Sequence, residues 1–108
     1  MILMPCPFLK EWVRLSAARE AHIRDRHDDL RHSLHRRLEE VLMDPSEIYW
    51  SDSDPSTLLF CRWYPDLLNG KFIRVVVVLD ATGVDQPWII TAYVARRRPP
   101  GELAWRKS

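Results

Sequence analysis

Apolar residues recur every three to four positions between residues 30 and 42. From residue 47 to residue 95 they come in runs and alternations, which divides the chain into a helical part followed by a β-rich part. Residues 8–15 mix apolar and charged side chains with no clean period and read as a short edge strand or an irregular lead-in. Ser16 then suits a helix N-cap, with Glu20 in the first turn, and a helix is expected over residues 17–27. Asp28 or Asp29 can cap a second helix that runs to about Met43. Its apolar stripe is Leu30, Leu34, Leu38, Val41 and Leu42, and Asp44-Pro45 ends it. Strands are expected at residues 47–51, 57–64, 71–80 and 88–95. The Asn-Gly turn within residues 65–70 and a loop over residues 80–87 separate them. Four consecutive valines make the third of these the strongest strand. Strict alternation in the last would place Ile89, Thr91, Tyr93 and Ala95 on one side. Short connections favour an antiparallel meander, so the predicted fold is α+β: two N-terminal helices packed on an antiparallel sheet of about four strands.

Length and composition fit this picture. A chain of 108 residues holds one domain, residues 1–108, and 46% hydrophobic with 29% charged residues is a globular balance. The net charge of +1 excludes a histone-like polycation, but the charges are segregated. Between residues 44 and 70 five acids stand against Arg62. After Ile90 five bases (Arg96, Arg97, Arg98, Arg106, Lys107) stand against Glu102. A basic patch of this kind can capture a polyanion although the whole molecule is near neutral. Cys6 and Cys61 suggest neither a disulfide framework nor a metal site, and reduced thiols in a cytoplasmic protein are expected. The sequence shows no secretory signal and no apolar stretch long enough to span a membrane.

The chemistry-bearing stretch is His22-Ile23-Arg24-Asp25-Arg26-His27. Imidazole is the side chain whose unperturbed pKa lies nearest neutrality, and guanidinium is a natural partner of phosphate. On a helix Arg19, His22, Ile23 and Arg26 share one face, whereas His22 and His27 are rotated by about 140° and cannot both ligate one metal. His32 and His35 stand three apart, but no further ligand completes a metal set, so neither metal nor cofactor is expected. A phosphate-binding glycine loop, a CxxC pair and a Gly-x-Ser-x-Gly elbow are absent, which removes nucleotide kinase, zinc enzyme and serine hydrolase readings. Arg74 interrupts a strand otherwise fit for burial, so it binds either an anion or a neighbouring acid such as Asp52 or Asp54.

The order of these motifs resembles a known group. A His-x4-His helix (His22 to His27), a Leu-rich helix ending in Asp44-Pro45, a Leu-Leu-Phe strand, a four-valine strand and a closing Ile-Thr-Ala-Tyr strand (Ile90 to Tyr93) resemble small phage- and toxin-associated nucleases of the barnase, EndoU, colicin and RelE-like superfamily. The resemblance covers residues 12–105 and departs from the pattern at Asp28, where relatives carry a proline. It implies a metal-independent endoribonuclease that cleaves RNA on the sheet side. The site would consist of a helix-borne His (His22 or His27), Arg74 with Lys71, and Thr91 with Tyr93. His22 is assigned the general base because Arg19 and Arg26 flank it. His27 is read as a second proton-transfer group or a helix cap. Arg19, Arg26, Lys71, Arg96 and Arg97 would bind the RNA. The expected partners are RNA and an antitoxin or immunity protein. The rival readings are a non-catalytic RNA- or partner-binding module of the same fold, and an interaction subunit that forms a homodimer.

Overall fold

The computed structural model describes residues 1–79 and 86–108. Its elements are β1 (Ile2–Cys6), β2 (Glu11–Leu15), α1 (Ala17–Arg26), a 3₁₀ helix (Asp28–Ser33), α2 (Leu34–Met43), β3 (Glu47–Trp50), β4 (Thr57–Tyr64), β5 (Lys71–Val78), β6 (Trp88–Ala95) and β7 (Leu103–Arg106). Among the described residues the seven strands form one curled sheet in the order β1-β2-β6-β5-β4-β3-β7. Most neighbours are antiparallel, while β2 meets β6 in parallel through the single pair Arg14 and Trp88. No helix among the described residues is long and apolar enough to cross a membrane.

This corrects the predicted fold of two N-terminal helices on a four-stranded antiparallel sheet. The helices follow a β-hairpin, and the sheet is larger and mixed. The first 15 residues hide a hairpin because exposed Leu3 and Trp12 obscure the alternation of the buried side chains Met4, Cys6, Val13 and Leu15. At the other end β7 has no apolar alternation to announce it, being a mostly exposed edge strand held to β3 by backbone pairing. The expected second helix is also divided, with residues 28–33 in the tighter 3₁₀ form before α2 begins. Of the expected loop over residues 80–87, positions 80–85 lie outside the described residues, as does the last residue of the predicted 71–80 strand.

One face of the sheet packs on the helices. Ile73, Val75 and Val77 of β5, Leu58 and Phe60 of β4, and Ile48 of β3 are buried with Ile23, Leu30, Leu34, Leu38, Val41 and Leu42. The stripe spaced by three and four along α2 is therefore the core side of that helix. Phe8, in the turn between β1 and β2, reaches across the end of this core to Phe60 and to Trp105 of β7, at ring-centroid distances of 6.1 and 6.4 Å. The two ends of the sheet are thereby drawn together.

The other face is crossed by the segment joining β6 to β7, residues 96–102. It runs from one side of β5 to the far side of β3, where Trp50 N–H donates to the Glu102 carbonyl at 2.8 Å. Gly101 is required at this crossing: its φ is +116°, and a Cβ there would stand 2.2 Å from the Trp50 carbonyl oxygen. Beneath the crossover lies a small second cluster of Tyr49, Cys61 and Phe72 with Leu59.

Leu38 sits wholly inside the main core. Leu38→Ala should lower the unfolding free energy by about 2–5 kcal/mol in urea titrations while leaving the m-value unchanged.

Candidate functional site

The candidate site is assembled at the end of α1 and on the sheet face away from the helices. Ser16 starts α1 by accepting the Arg19 N–H on its hydroxyl at 3.1 Å. Ten residues later the helix ends as His27 leaves helical geometry (φ −131°, ψ 76°), its N–H still bonded to the Ile23 carbonyl at 2.9 Å. Ile23 is buried, so α1 is held against the core and against β6. At the helix end the His27 ring packs on Tyr93 of β6, with centroids 5.9 Å apart and planes inclined by 35°.

Tyr93 faces Arg74 because the two are direct partners in the β5–β6 ladder. Strict alternation in β6 is broken by a bulge where the register shifts between Val76 and Val77. Ile90 is the extra residue. Ile89 and Ala92 consequently turn into the core, while Thr91 and Tyr93 turn to the open face opposite Val76 and Arg74. The simple alternation expected from the sequence put Ile89 with Thr91 and is corrected by this bulge.

Arg74 donates from Nη1 to the Tyr93 hydroxyl at 3.0 Å and from Nη2 to the Arg97 carbonyl at 2.7 Å. Its guanidinium carbon lies 5.2 Å from the Tyr93 ring centroid. Its Nε is buried without a hydrogen-bond partner. Among the described residues no carboxylate pairs with it, so the expected alternative of a salt bridge to Asp52 or Asp54 is not found. Asp54 instead accepts from the N–H and hydroxyl of Ser56, which hold its carboxyl below the usual range. Thr91, Tyr93 and Arg74 line one depression of about 360 Å³ whose rim also carries Asp52 and Asp54, bounded by Pro99 and Pro100 of the crossover. Opposite Arg74 in the β4–β5 ladder, burial pushes the Cys61 thiol up to about 11 against the pull of the arginine.

The structure thus brings together His27, Tyr93, Arg74 and Thr91, and it distributes the other predicted residues differently. His22 is half-buried on α1, more than a turn before His27, and takes no part in these contacts. Arg19 and Arg26 are exposed on the same helix. Lys71 is three residues from Arg74 and so belongs to the other face of β5, where its Nζ donates to the Leu68 and Gly70 carbonyls of the preceding turn. Arg97 contributes its carbonyl to the site, and its side chain is exposed. Arg96 lines a separate cleft described next.

Sequence reasoning missed Glu47. Its side chain is 4% exposed, yet it carries a carboxylate, and each oxygen accepts from one guanidinium: Oε1 from Arg98 Nε and Oε2 from Arg106 Nε, both at 2.7 Å. Burial alone would raise the Glu47 carboxyl, but the hydrogen bonds from Arg106 and Arg98 override it and leave it below its ordinary value. The signal was the acid-rich stretch before β4 and the base-rich stretch after β6, whose pairing across more than fifty residues no local pattern reveals. These groups border a cleft of about 670 Å³ that also includes Trp63, Phe72, Arg96 and Lys107. Among the described residues no three His, Cys, Asp or Glu side chains converge as a metal site would require.

Comparison with protein-family models, curated proteins and solved structures gave no match.

The Glu47 clamp predicts a signature in stability. Its folded-state pKa lies below the ordinary 4.5, so its contribution is complete above that pH and is lost as the pH falls through the lower folded value. Glu47→Gln should cost about 1–3 kcal/mol at pH 7. It should also remove part of the fall in urea midpoint that the wild type shows between neutral pH and pH 3.

Proposed function

We propose that the chain is a metal-independent endoribonuclease that cleaves RNA by attack of a 2′-hydroxyl on the adjacent phosphate. The observation that carries this reading is the state of Arg74. The guanidinium is fixed by two uncharged acceptors, the Tyr93 hydroxyl and the Arg97 carbonyl, with no carboxylate on it among the described residues. An arginine held in place by neutral acceptors beside an open depression is suited to a phosphodiester.

The groups around it supply the remaining chemistry. One side chain takes the proton of the 2′-hydroxyl as its oxygen bonds to phosphorus. Another gives a proton to the 5′-oxygen as that bond breaks, leaving a 2′,3′-cyclic phosphate and a 5′-hydroxyl. His27 and Tyr93, whose rings are in contact, are assigned these two transfers. Arg74, with the Thr91 hydroxyl in the same depression, stabilises charge on the phosphorane oxygens. The resemblance to the barnase, EndoU, colicin and RelE-like nucleases supports the same assignment. Unrestrained ribonuclease would damage the cell that makes it, so the proposal includes a protein partner of the antitoxin or immunity type that covers the Arg74 face.

The test is cleavage of total RNA in the presence of EDTA. Wild type should give fragments ending in 2′,3′-cyclic phosphate. His27→Ala should lose about 10²–10⁴-fold in rate and Arg74→Ala a comparable factor, with thermal melting showing that each variant folds. His22→Ala addresses the other imidazole. A loss as large as that of His27→Ala would make the two histidines the proton-transfer pair in place of His27 and Tyr93. Intact RNA in every sample would sink the enzymatic reading.

A further inference from the structure

The cleft on the far side of the crossover has chemistry of its own. Three arginines, Arg96, Arg98 and Arg106, line it with Glu47, and Lys107 is held by Asp44 at 2.8 Å. Glu47 engages Arg98 and Arg106 through their Nε atoms, with Tyr49 also beside Arg106, and both arginine side chains remain more than half exposed, where another anion can reach them. Because the carboxylate is buried, the two guanidiniums are held at fixed positions along the cleft instead of moving freely in solvent.

The aromatic wall of the cleft is equally fixed. Trp63 is 44% exposed, yet its ring stands edge-on to Phe72 at 4.9 Å and 67°. It also lies over Gly70, where a Cβ would come within 2.7 Å of it. An exposed indole that is already immobilised loses little freedom when a flat ring stacks on it. Phe72 and Arg74 are two residues apart on the same face of β5, about 7 Å. Arg97 joins the two places directly: its carbonyl holds Arg74, while its neighbours Arg96 and Arg98 line the cleft.

We propose that this cleft is a second subsite for single-stranded RNA, in which an unpaired base stacks on Trp63 and the adjoining phosphates meet Arg96, Arg98 and Arg106. The proposal rests on the ribonuclease reading and extends its substrate to an unpaired strand that reaches from Arg74 across the crossover. Glu47 is a positioning residue here, because it touches the guanidiniums and not the RNA. A duplex is disfavoured because its bases are stacked on each other and offer no face to the indole.

The experiment uses a 2′-O-methyl hexaribonucleotide, which binds but cannot be cut by 2′-hydroxyl attack, and reads its affinity by fluorescence anisotropy. Trp63→Ala should weaken binding about tenfold. Trp63→Phe, which keeps a stacking ring, should retain most of the affinity and guards against loss through misfolding. Arg96→Ala should reduce the slope of log Kd against log salt by about one. Variants that bind as wild type does, or a polyglutamate of equal charge bound as well as the hexamer, would overturn the subsite. The two proposals fail separately. Binding that depends on Trp63, from a protein that leaves the 2′-hydroxyl form of the hexamer uncut, keeps the subsite and removes the nuclease. Cutting by a protein whose binding ignores Trp63 and Arg96 keeps the nuclease and overturns the subsite.

Discussion

A single buried carboxylate organises the functional side of this protein. Glu47 sits in β3 with almost no exposure to solvent, and a charge so placed costs several kcal/mol unless it is paired. Its two partners come from different elements: Arg98 from the crossover and Arg106 from β7. By taking one oxygen each, they fasten both ends of residues 98–106 to the same point of the sheet. The crossover is then held over Phe72, whose ring lies 5.4 Å from the Arg98 guanidinium, and β7 is held in register beside β3. The carbonyl of Arg97 reaches Arg74 as a consequence of where the crossover is pinned.

The two faces of the sheet divide the work. Towards the helices, every side chain contributed by β5 from Ile73 to Val77 is apolar and buried, and the cost of ordering the chain is offset there. Away from them, the same strand presents Phe72 and Arg74, its neighbours β4 and β6 present Trp63, Thr91 and Tyr93, and β3 presents Glu47. A β-sheet that alternates strictly would not bring Thr91 and Tyr93 to this side while keeping Ile89 in the core. The bulge at Ile90 makes both arrangements compatible, because one additional residue exchanges the two faces for the remainder of the strand.

The strong local signals in the sequence were those that depend on neighbours along the chain. The Ser16 cap, the apolar stripe of α2, the Asn-Gly turn and the three long strands could be placed from spacing and turn chemistry, and β4 and β6 run over the predicted residues. The hairpin of β1 and β2 was obscured by exposed Leu3 and Trp12, although Val13 and Leu15 alternate inward. β7 was not legible at all, since its place is set by Glu47 and by backbone pairing with β3. The site divides in the same way. His27, Arg74 and Tyr93 were named from residue chemistry and a resemblance, but which of them touch depends on the β6 bulge and the end of α1. Lys71 illustrates the converse: a basic residue close in sequence to Arg74 is separated from it by the odd spacing between them.

The restraint on the cations links the two halves of the open face. Arg74 is fixed by neutral groups, with no carboxylate hydrogen-bonded to it among the described residues, while Arg98 and Arg106 share one carboxylate between them and retain a surplus. Flexible surface arginines would have to lose side-chain freedom on meeting an anion, and part of the Coulombic gain would be spent in ordering them. Here that ordering belongs to folding, because the burial of Glu47 and the packing of Tyr93 against His27 enforce it before any ligand arrives. Arg98 and Arg106 meet at one carboxylate, while Arg74 is held from the crossover by the Arg97 carbonyl, so the positive charge of the open face is divided between two places and matches negative charges spaced along a chain. On the reading proposed above, an extended polyanion with flat, unstacked rings would meet both the divided cations and the exposed indole of Trp63.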